Sequence, residues 1–118
     1  MLIYVLKSKI YQATVSAKST NYQGSIEIDQ ELMQKAGMHE FEKVLVVDIN
    51  NGNRFETYII KGRKKSRGIS LQGGAARLGE IGDRLIIFSF ALLTPEELKN
   101  FKPKIICLNE KNKIINEK

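Results

Sequence analysis

A chain of 118 residues, 42% of them hydrophobic, has the length of one domain with one core, which argues against a cleft between two domains of the same chain. Its apolar runs 44–49 and 85–93 are too short to cross a bilayer as helices, and one cysteine with one histidine excludes an intrachain disulfide and a clustered metal site. The formal charge of +6 raises the question of nucleic acid, but much of the excess lies in the run 61–67 and the lysine-rich end, and the first run has no interleaved aromatic residue for base stacking. We read it as a solvated loop and expect no nucleic-acid or membrane partner.

The opening stretch Met1 to Lys7 has no basic region before its apolar part and no small-residue cleavage site, so it reads as a first strand over 2–6, with the cytoplasm as the expected compartment. A second strand is predicted over 10–16. Tyr22-Gln23-Gly24-Ser25 follows. A serine after a glycine can attack the preceding carbonyl with little steric hindrance, which marks Gly24-Ser25 as a candidate for self-cleavage. Asp29 is placed to cap a helix over 30–36 that ends at Gly37, and His39 reads as a loop residue.

Strands over 44–49 and 55–60 flank Asn51-Gly52, a pair that favours a tight type I′ hairpin turn. The strand leaving it carries Arg54-Phe55-Glu56-Thr57-Tyr58, a cation, a hydroxyl and a phenol at close spacing. Alternation puts Arg54, Glu56 and Tyr58 on one face and Phe55 and Thr57 on the other, and a bulge or strong twist would let Thr57 and Tyr58 serve one site.

After the basic run come a strand over 69–71 and Gln72-Gly73-Gly74-Ala75-Ala76. This small-residue loop lets a ligand approach the backbone, where amide groups could hold a carboxylate; a plain tight turn is the competing reading. A strand over 85–90 leads to Thr94-Pro95-Glu96-Glu97, which combines an N-cap, a proline at the first helical position and a capping-box glutamate. Cys107 belongs to the packing of a strand over 105–108, and 109–118, polar with one apolar pair, reads as a mobile tail. These elements describe one mostly β domain with two short scaffold helices.

Taken in order, Lys9, Tyr22-x-Gly24-Ser25, Ile28-Asp29, Asn51-Gly52-x-Arg54-Phe55-x-Thr57-Tyr58, Ser66-Arg67, Gly73-x-Ala75-Ala76 and Gly82-Asp83 closely resemble the pyruvoyl-dependent aspartate 1-decarboxylases. These carboxy-lyases make β-alanine from L-aspartate for pantothenate and coenzyme A, and the resemblance covers nearly the whole chain. It implies a small closed barrel of the double-psi type, a homotetramer with sites between subunits, and a zymogen that cleaves between Gly24 and Ser25 into fragments 1–24 and 25–118. It implies a covalent pyruvoyl cofactor derived from Ser25, with no metal. Tyr22, Gly24, Ser25 and Thr57 are then the processing residues, Thr57 supporting the oxyanion, and Ser25 and Tyr58 the catalytic ones. Lys9, Arg54, Thr57, Gly73, Gly74 and Ala75 bind substrate, with Gln72 in support; a maturation factor is not specified. The chain departs from the family at Tyr11, where histidine often stands, at Gln72, where asparagine is usual, and at Gly74, where alanine is usual.

The chemistry is consistent with these residue types. Loss of the α-carboxylate leaves an electron pair on Cα that no ordinary side chain delocalises, whereas an imine to a carbonyl group does, so the chain must make a carbonyl of its own. In the implied maturation Ser25 Oγ attacks the Gly24 carbonyl, the acyl group shifts from nitrogen to oxygen, elimination gives dehydroalanine, and hydrolysis releases ammonia and leaves the pyruvoyl group. Arg54 offers a planar fork to a carboxylate, and with Lys9 supplies two cations for a dianionic substrate. Tyr58 is the implied proton donor to Cα. Each residue also has a plainer role: Tyr58 packing its ring, Arg54 paired with Glu56, Thr57 as a strand former, Lys9 in solvent. A basic nucleic-acid-binding barrel and an interaction module with an inert Gly24-Ser25 turn are the rival readings, and an intact mass under denaturing conditions separates both from the self-cleaving enzyme.

Overall fold

In the computed structural model, which describes residues 1–21 and 24–117, the long alternating N-terminal segment is one strand rather than two. β1 (Ile3–Thr14) runs antiparallel to β7 (Arg84–Leu93) along its whole length, from the pair Ile3↔Leu93 to Thr14↔Arg84. Its register slips between Leu6 and Ser8 and again between Tyr11 and Ala13, with Gln12 at φ 65. Each slip is a bulge, and each resets which residues face inward. Beyond the first, Ser8 and Ile10 turn into the core while Lys9 and Tyr11 turn out; the two buried serines Ser8 and Ser89 satisfy each other at 2.7 Å.

The remaining strands are β2 (Ala17–Ser19), β3 (Ser25–Asp29), β4 (Lys43–Asp48), β5 (Arg54–Gly62), β6 (Ile69–Gln72), β8 (Lys104–Leu108) and β9 (Ile114–Glu117). With β1 and β7 they form, among the described residues, one nine-stranded sheet in the order β2-β6-β3-β5-β4-β7-β1-β8-β9. β5 joins its two halves: residues 54–58 pair antiparallel with β4, and 59–62 pair parallel with β3. One face of the whole sheet is the core, built from Ile10, Ile26, Ile28, Val44, Val46, Ile59, Leu71, Leu85, Ile87 and Ile106. This confirms a mostly β chain with two short helices.

Both helices begin and end where local chemistry places them. Asp29 Oδ1 accepts from Glu31 N at the start of α1 (Gln30–Ala36), and Gly37 closes it at φ 71. α1 buries Leu32, Met33 and Ala36 against the sheet. α2 (Pro95–Leu98) opens on Thr94 with a full capping box to Glu97. His39 lies in the loop after α1, as expected.

Two further expectations are corrected. The Asn51-Gly52 connection is a five-residue loop, 49–53, with Gly52 alone at positive φ, because Asp48 captures the backbone: Oδ1 accepts from Asn50 N and Asn51 N, and Asp48 O from Gly52 N. The stretch 109–117, read as a mobile tail, is folded. Asn112 is buried, its side chain bonded to the backbones of Thr14 and Arg67, and the strand after it pairs with β8. A single apolar pair was a poor guide there because a buried amide, not apolar burial, fixes the turn.

Candidate functional site

The strand that leaves the 49–53 loop supplies most of one cleft. An open hollow of about 500 Å³ is lined by Gly24, Phe55, Glu56, Thr57, Tyr58, Gly74, Ala75 and Leu78. Burial along β5 alternates as the sequence predicts, with Arg54, Glu56 and Tyr58 exposed and Phe55 and Thr57 half-buried. Thr57 and Tyr58 nevertheless border the same hollow, since β5 changes partners between these residues and Ile59.

Gly24 enters the cleft at φ +114, a conformation that only glycine adopts without strain, and nothing lies within 4 Å of where a Cβ would stand. The requirement at this position is therefore the backbone and not space. Ser25 follows as the first residue of β3, 3% exposed. It is the Cα partner of Gln72 on β6, and one rung before the pair Ile26↔Ile59 it stands level with Tyr58 on β5. Tyr22, expected among the processing residues, lies outside the described residues.

The small-residue segment is a 3₁₀ helix, Gly73–Arg77, entered from extended Gln72 and begun by Gly73 at φ 67. Gly73 and Ala75 are buried, while Gly74 is exposed with nothing within 4 Å of its missing Cβ. Gly74 and Ala75 line the cleft, and buried Gly73 does not. The Gln72 amide does not reach toward Ser25; its Nε2 donates to Glu27 Oε1 at 2.9 Å.

Three residues outside the predicted site hold this wall in place. Asn51 Nδ2 and Asn53 Nδ2 both donate to Leu78 O, at 3.0 and 2.9 Å, tying the cleft's far wall to the loop that precedes β5. The loop in turn hangs on Asp48, which is fully buried; among the described residues its Oδ2 has no N–H donor. Burial, and then the neighbouring carboxyl of Asp83, push the Asp48 pKa up to about 6, against the opposing pull of the Asn50 and Asn51 N–H groups. Asp83 is held below the usual carboxylate range, first by its hydrogen bond with Asp48, with the Glu80 N–H and Lys18 acting in the same sense. The signal that could have found the loop is the Asp48-x-Asn50-Asn51 spacing, since an aspartate two residues before an amide closes an Asx turn.

The two cations are not in the cleft. Arg54 is exposed on the face of Glu56 and Tyr58, opposite Val47 on β4, and does not border the hollow. Among the described residues it makes no ion pair, and Glu56 is paired instead with Lys43 at 3.2 Å. Lys9 sits beside a separate hollow of about 240 Å³ with Tyr11, Ile105 and Cys107, its Nζ 5.8 Å from the centre of the Phe88 ring. The ladder Glu56↔Leu45↔Phe88↔Lys9 puts it three strands from β5, about 14 Å across the same sheet face. That face is strongly apolar. Tyr4, Phe88 and Phe90 form an aromatic cluster on it, and Tyr4, Phe90 and Leu92 are exposed.

The basic run is exposed in its side chains but fixed in its backbone, because Asp29 accepts from Lys65 N and Arg67 N as well as capping α1. Among the described residues no group of three or more His, Cys, Asp or Glu side chains is arranged to hold a metal ion, and no helix is long and apolar enough to cross a membrane.

A family model described as aspartate decarboxylase matches residues 1–115. The chain is 57% identical over 115 residues to the aspartate 1-decarboxylase of Caldicellulosiruptor bescii, covering 98% of this chain and 90% of that protein. It is 54% identical to the aspartate 1-decarboxylase of Acetivibrio thermocellus, covering 100% and 94%, and 56% identical to that of Thermotoga petrophila, covering both chains in full.

Proposed function

The chain belongs to the aspartate decarboxylase family, and from that premise we propose that it converts L-aspartate to β-alanine and carbon dioxide at a site whose electrophile comes from its own Ser25. The observation that carries the reading is the setting of Gly24-Ser25: a glycine in a left-handed conformation, followed by a buried serine level with Tyr58, at a cleft bordered by Thr57 and Tyr58.

The residues fit the pyruvoyl group that the family implies. Ser25 is its precursor, Gly24 has open space where a side chain would stand, and exposed Gly74 leaves its part of the cleft wall clear. When formed, that group supplies the electron sink that side chains lack. The rest falls to the chain. Ser25 Oγ attacks the Gly24 carbonyl carbon, the Gly24–Ser25 peptide bond gives way to an ester as nitrogen takes up the serine proton, and Thr57 Oγ1 stabilises the oxyanion that develops between. Elimination of the Gly24 carboxylate and hydrolysis with loss of ammonia complete the change. Tyr58, level with the reactive position, then delivers a proton to substrate Cα.

Arg54 and Lys9 hold the carboxylates of aspartate, but about 14 Å of sheet separates Lys9 from β5 in one chain. A site that uses both is assembled from two copies. The exposed aromatic face around Lys9 is the surface such an assembly would cover, which supports the homotetramer with sites between subunits. Closure of the sheet into a double-psi barrel is supported by the path of the chain. β1, near one end of the strand order, runs directly through Val15 and Ser16 into β2 at the other end, with Val15 N bonded to Asp83 O and Ser16 N to Ile69 O. We place the enzyme in the cytoplasm, with no metal in its chemistry.

The test is the mass of the purified chain under denaturing conditions. Two fragments split between Gly24 and Ser25, the larger lighter by one ammonia than simple hydrolysis gives, bear the reading out. A single full-length species, inert toward aspartate after prolonged incubation, overturns it.

A further inference from the structure

Glu27 is absent from the reaction outlined above, yet it is the next residue after Ser25 on the face of β3 turned from the core. Its Oε1 accepts from Gln72 Nε2 at 2.9 Å. Gln72 is the Cα partner of Ser25, whereas the partner of Glu27 is Ser70. The bond is therefore diagonal, between strand positions about 7–8 Å apart, and it draws the Gln72 amide along β3, away from the Gly24–Ser25 bond. A carboxylate only accepts, so the nitrogen end of the amide is the end that faces Glu27.

Glu27 is itself fixed at its stem. A Cβ at Gly62 would stand 3.2 Å from Glu27 Cγ and 3.1 Å from Ile28 O. The missing side chain on β5 thus gives the Glu27 stem a place to lie, and the stem aims the carboxylate at β6. Gln72 also opens the 3₁₀ helix that presents Gly74 and Ala75 to the cleft. A glutamine directly opposite Ser25, freed at its three side-chain torsions, has the reach to fall over Ser25 and occupy the space a substrate carboxylate needs.

We propose that Glu27 is a positioning residue: it tethers the Gln72 amide off the Ser25 position and keeps the cleft clear for substrate. The inference rests on the reading of Ser25 as the reactive position. The test compares the parent chain with Glu27→Ala, Glu27→Gln and the double variant Glu27→Ala/Gln72→Ala, measuring first the fraction split between Gly24 and Ser25, then KM and kcat for aspartate per split chain. Glu27→Ala is expected to raise KM at least about fivefold while kcat changes less than about twofold. Glu27→Gln keeps an acceptor oxygen and should recover most of the loss. The double variant should recover it as well, since no free amide remains to intrude. A double variant no better than Glu27→Ala overturns the proposal, because the amide itself is then the contributing group. So does a Glu27→Ala chain that splits normally and keeps the parent KM, with or without a lowered Tm; the Ser25 reading survives that result. A parent chain that never splits takes the Ser25 reading and this one down together.

Discussion

Ser25 stands one rung before the Ile26↔Ile59 pair of the parallel β3–β5 ladder, level with Tyr58 on the adjacent strand. Neighbouring strands lie about 4.8 Å apart, so continuing the ladder by one rung sets Tyr58 beside position 25 on the adjacent strand. The pairing ties the residue that is consumed in maturation to the residue that serves turnover.

Tyr58→Phe separates the two roles. It keeps the ring and removes one hydroxyl, so the fold and the splitting at Gly24-Ser25 should survive while protonation of Cα loses its donor. General acid catalysis of this kind contributes about 10² to 10⁴-fold. The variant should be fully split and should still acquire the mass of aspartate on its larger fragment under cyanoborohydride, yet turn over at least a hundredfold more slowly. Normal β-alanine production from a correctly split variant would make Tyr58 a packing residue.

Substitution at the scissile pair should act through different causes on its two sides. Ser25→Ala removes the hydroxyl that receives the acyl group, so the chain should stay whole and inactive. At Gly24 the Cβ space is open and only the φ of +114 resists a side chain. Gly24→Ala therefore carries about 1–3 kcal/mol of backbone strain, and splitting should slow rather than vanish. Time courses of intact mass distinguish the two, and a Gly24→Ala chain that splits at the parent rate would show that the positive-φ conformation is not needed.

Local chemistry was the most legible part of the fold. Asp29, Gly37 and Thr94-Pro95-Glu96-Glu97 cap their helices as the sequence suggests because each cap is decided within a few residues. Pairing between distant segments was less so. β2 and β9 are short and carry polar residues, and Asn112 finds partners 98 and 45 residues away, which no periodicity reveals. At the site, the order of motifs brought forward Gly24, Thr57, Tyr58, Gly74 and Ala75, which border one cleft. Glu27 and Asn53 were missed, and Asn51 was read as part of a tight turn, because their work is to hold other side chains and carbonyls, and they bear no mark of chemistry of their own.

Asp48 should make stability fall as pH rises. Its folded pKa of about 6 lies above the ordinary 3.8, so between these values the folded chain binds more protons than the unfolded one. The contribution is fully present below about pH 4 and is lost as pH climbs through 6. Asp83, shifted the other way, opposes this only at lower pH. Asp48→Asn keeps an acceptor for the Asn50 and Asn51 N–H groups and removes the buried charge. It should raise stability at pH 8 by about 1–2 kcal/mol and flatten the slope of Tm between pH 4 and 7. A variant less stable than the parent at pH 8 would show that the ionised pair is favourable.

The basic loop should divide between its side chains and its backbone. Neutralising Lys61, Arg63, Lys64 and Lys65 alters exposed groups that do not border the cleft, so kcat should stay within a few-fold. Asp29→Ala, by contrast, removes the α1 cap and the acceptor of the Lys65 and Arg67 N–H groups, and should cost about 2–4 kcal/mol. A hundredfold loss of kcat on neutralisation, roughly 2.7 kcal/mol of barrier, would place the loop at the site.

Lys9 offers the test of a shared site. If it reaches aspartate from one copy while Ser25 and Tyr58 act from another, Lys9→Ala and Tyr58→Phe damage different halves of each site. Separately purified, both variants should be at least a hundredfold slow, the second for the loss of its acid and the first for the loss of a charge that holds a substrate carboxylate. Co-expressed so that the chains assemble together, random pairing leaves about one site in four with both halves intact, and activity should return to about that fraction of the parent. Mixing the finished assemblies without exchange should restore nothing. Co-expression that stays at the level of the two variants alone would mean that each site draws Lys9 and Tyr58 from the same chain, which the two intervening strands forbid for a rigid sheet, or that Lys9 does not touch the substrate. Measuring KM in Lys9→Ala separates these: an unchanged value removes Lys9 from the site, and a raised one would require the sheet to fold back on itself to bring the two residues together.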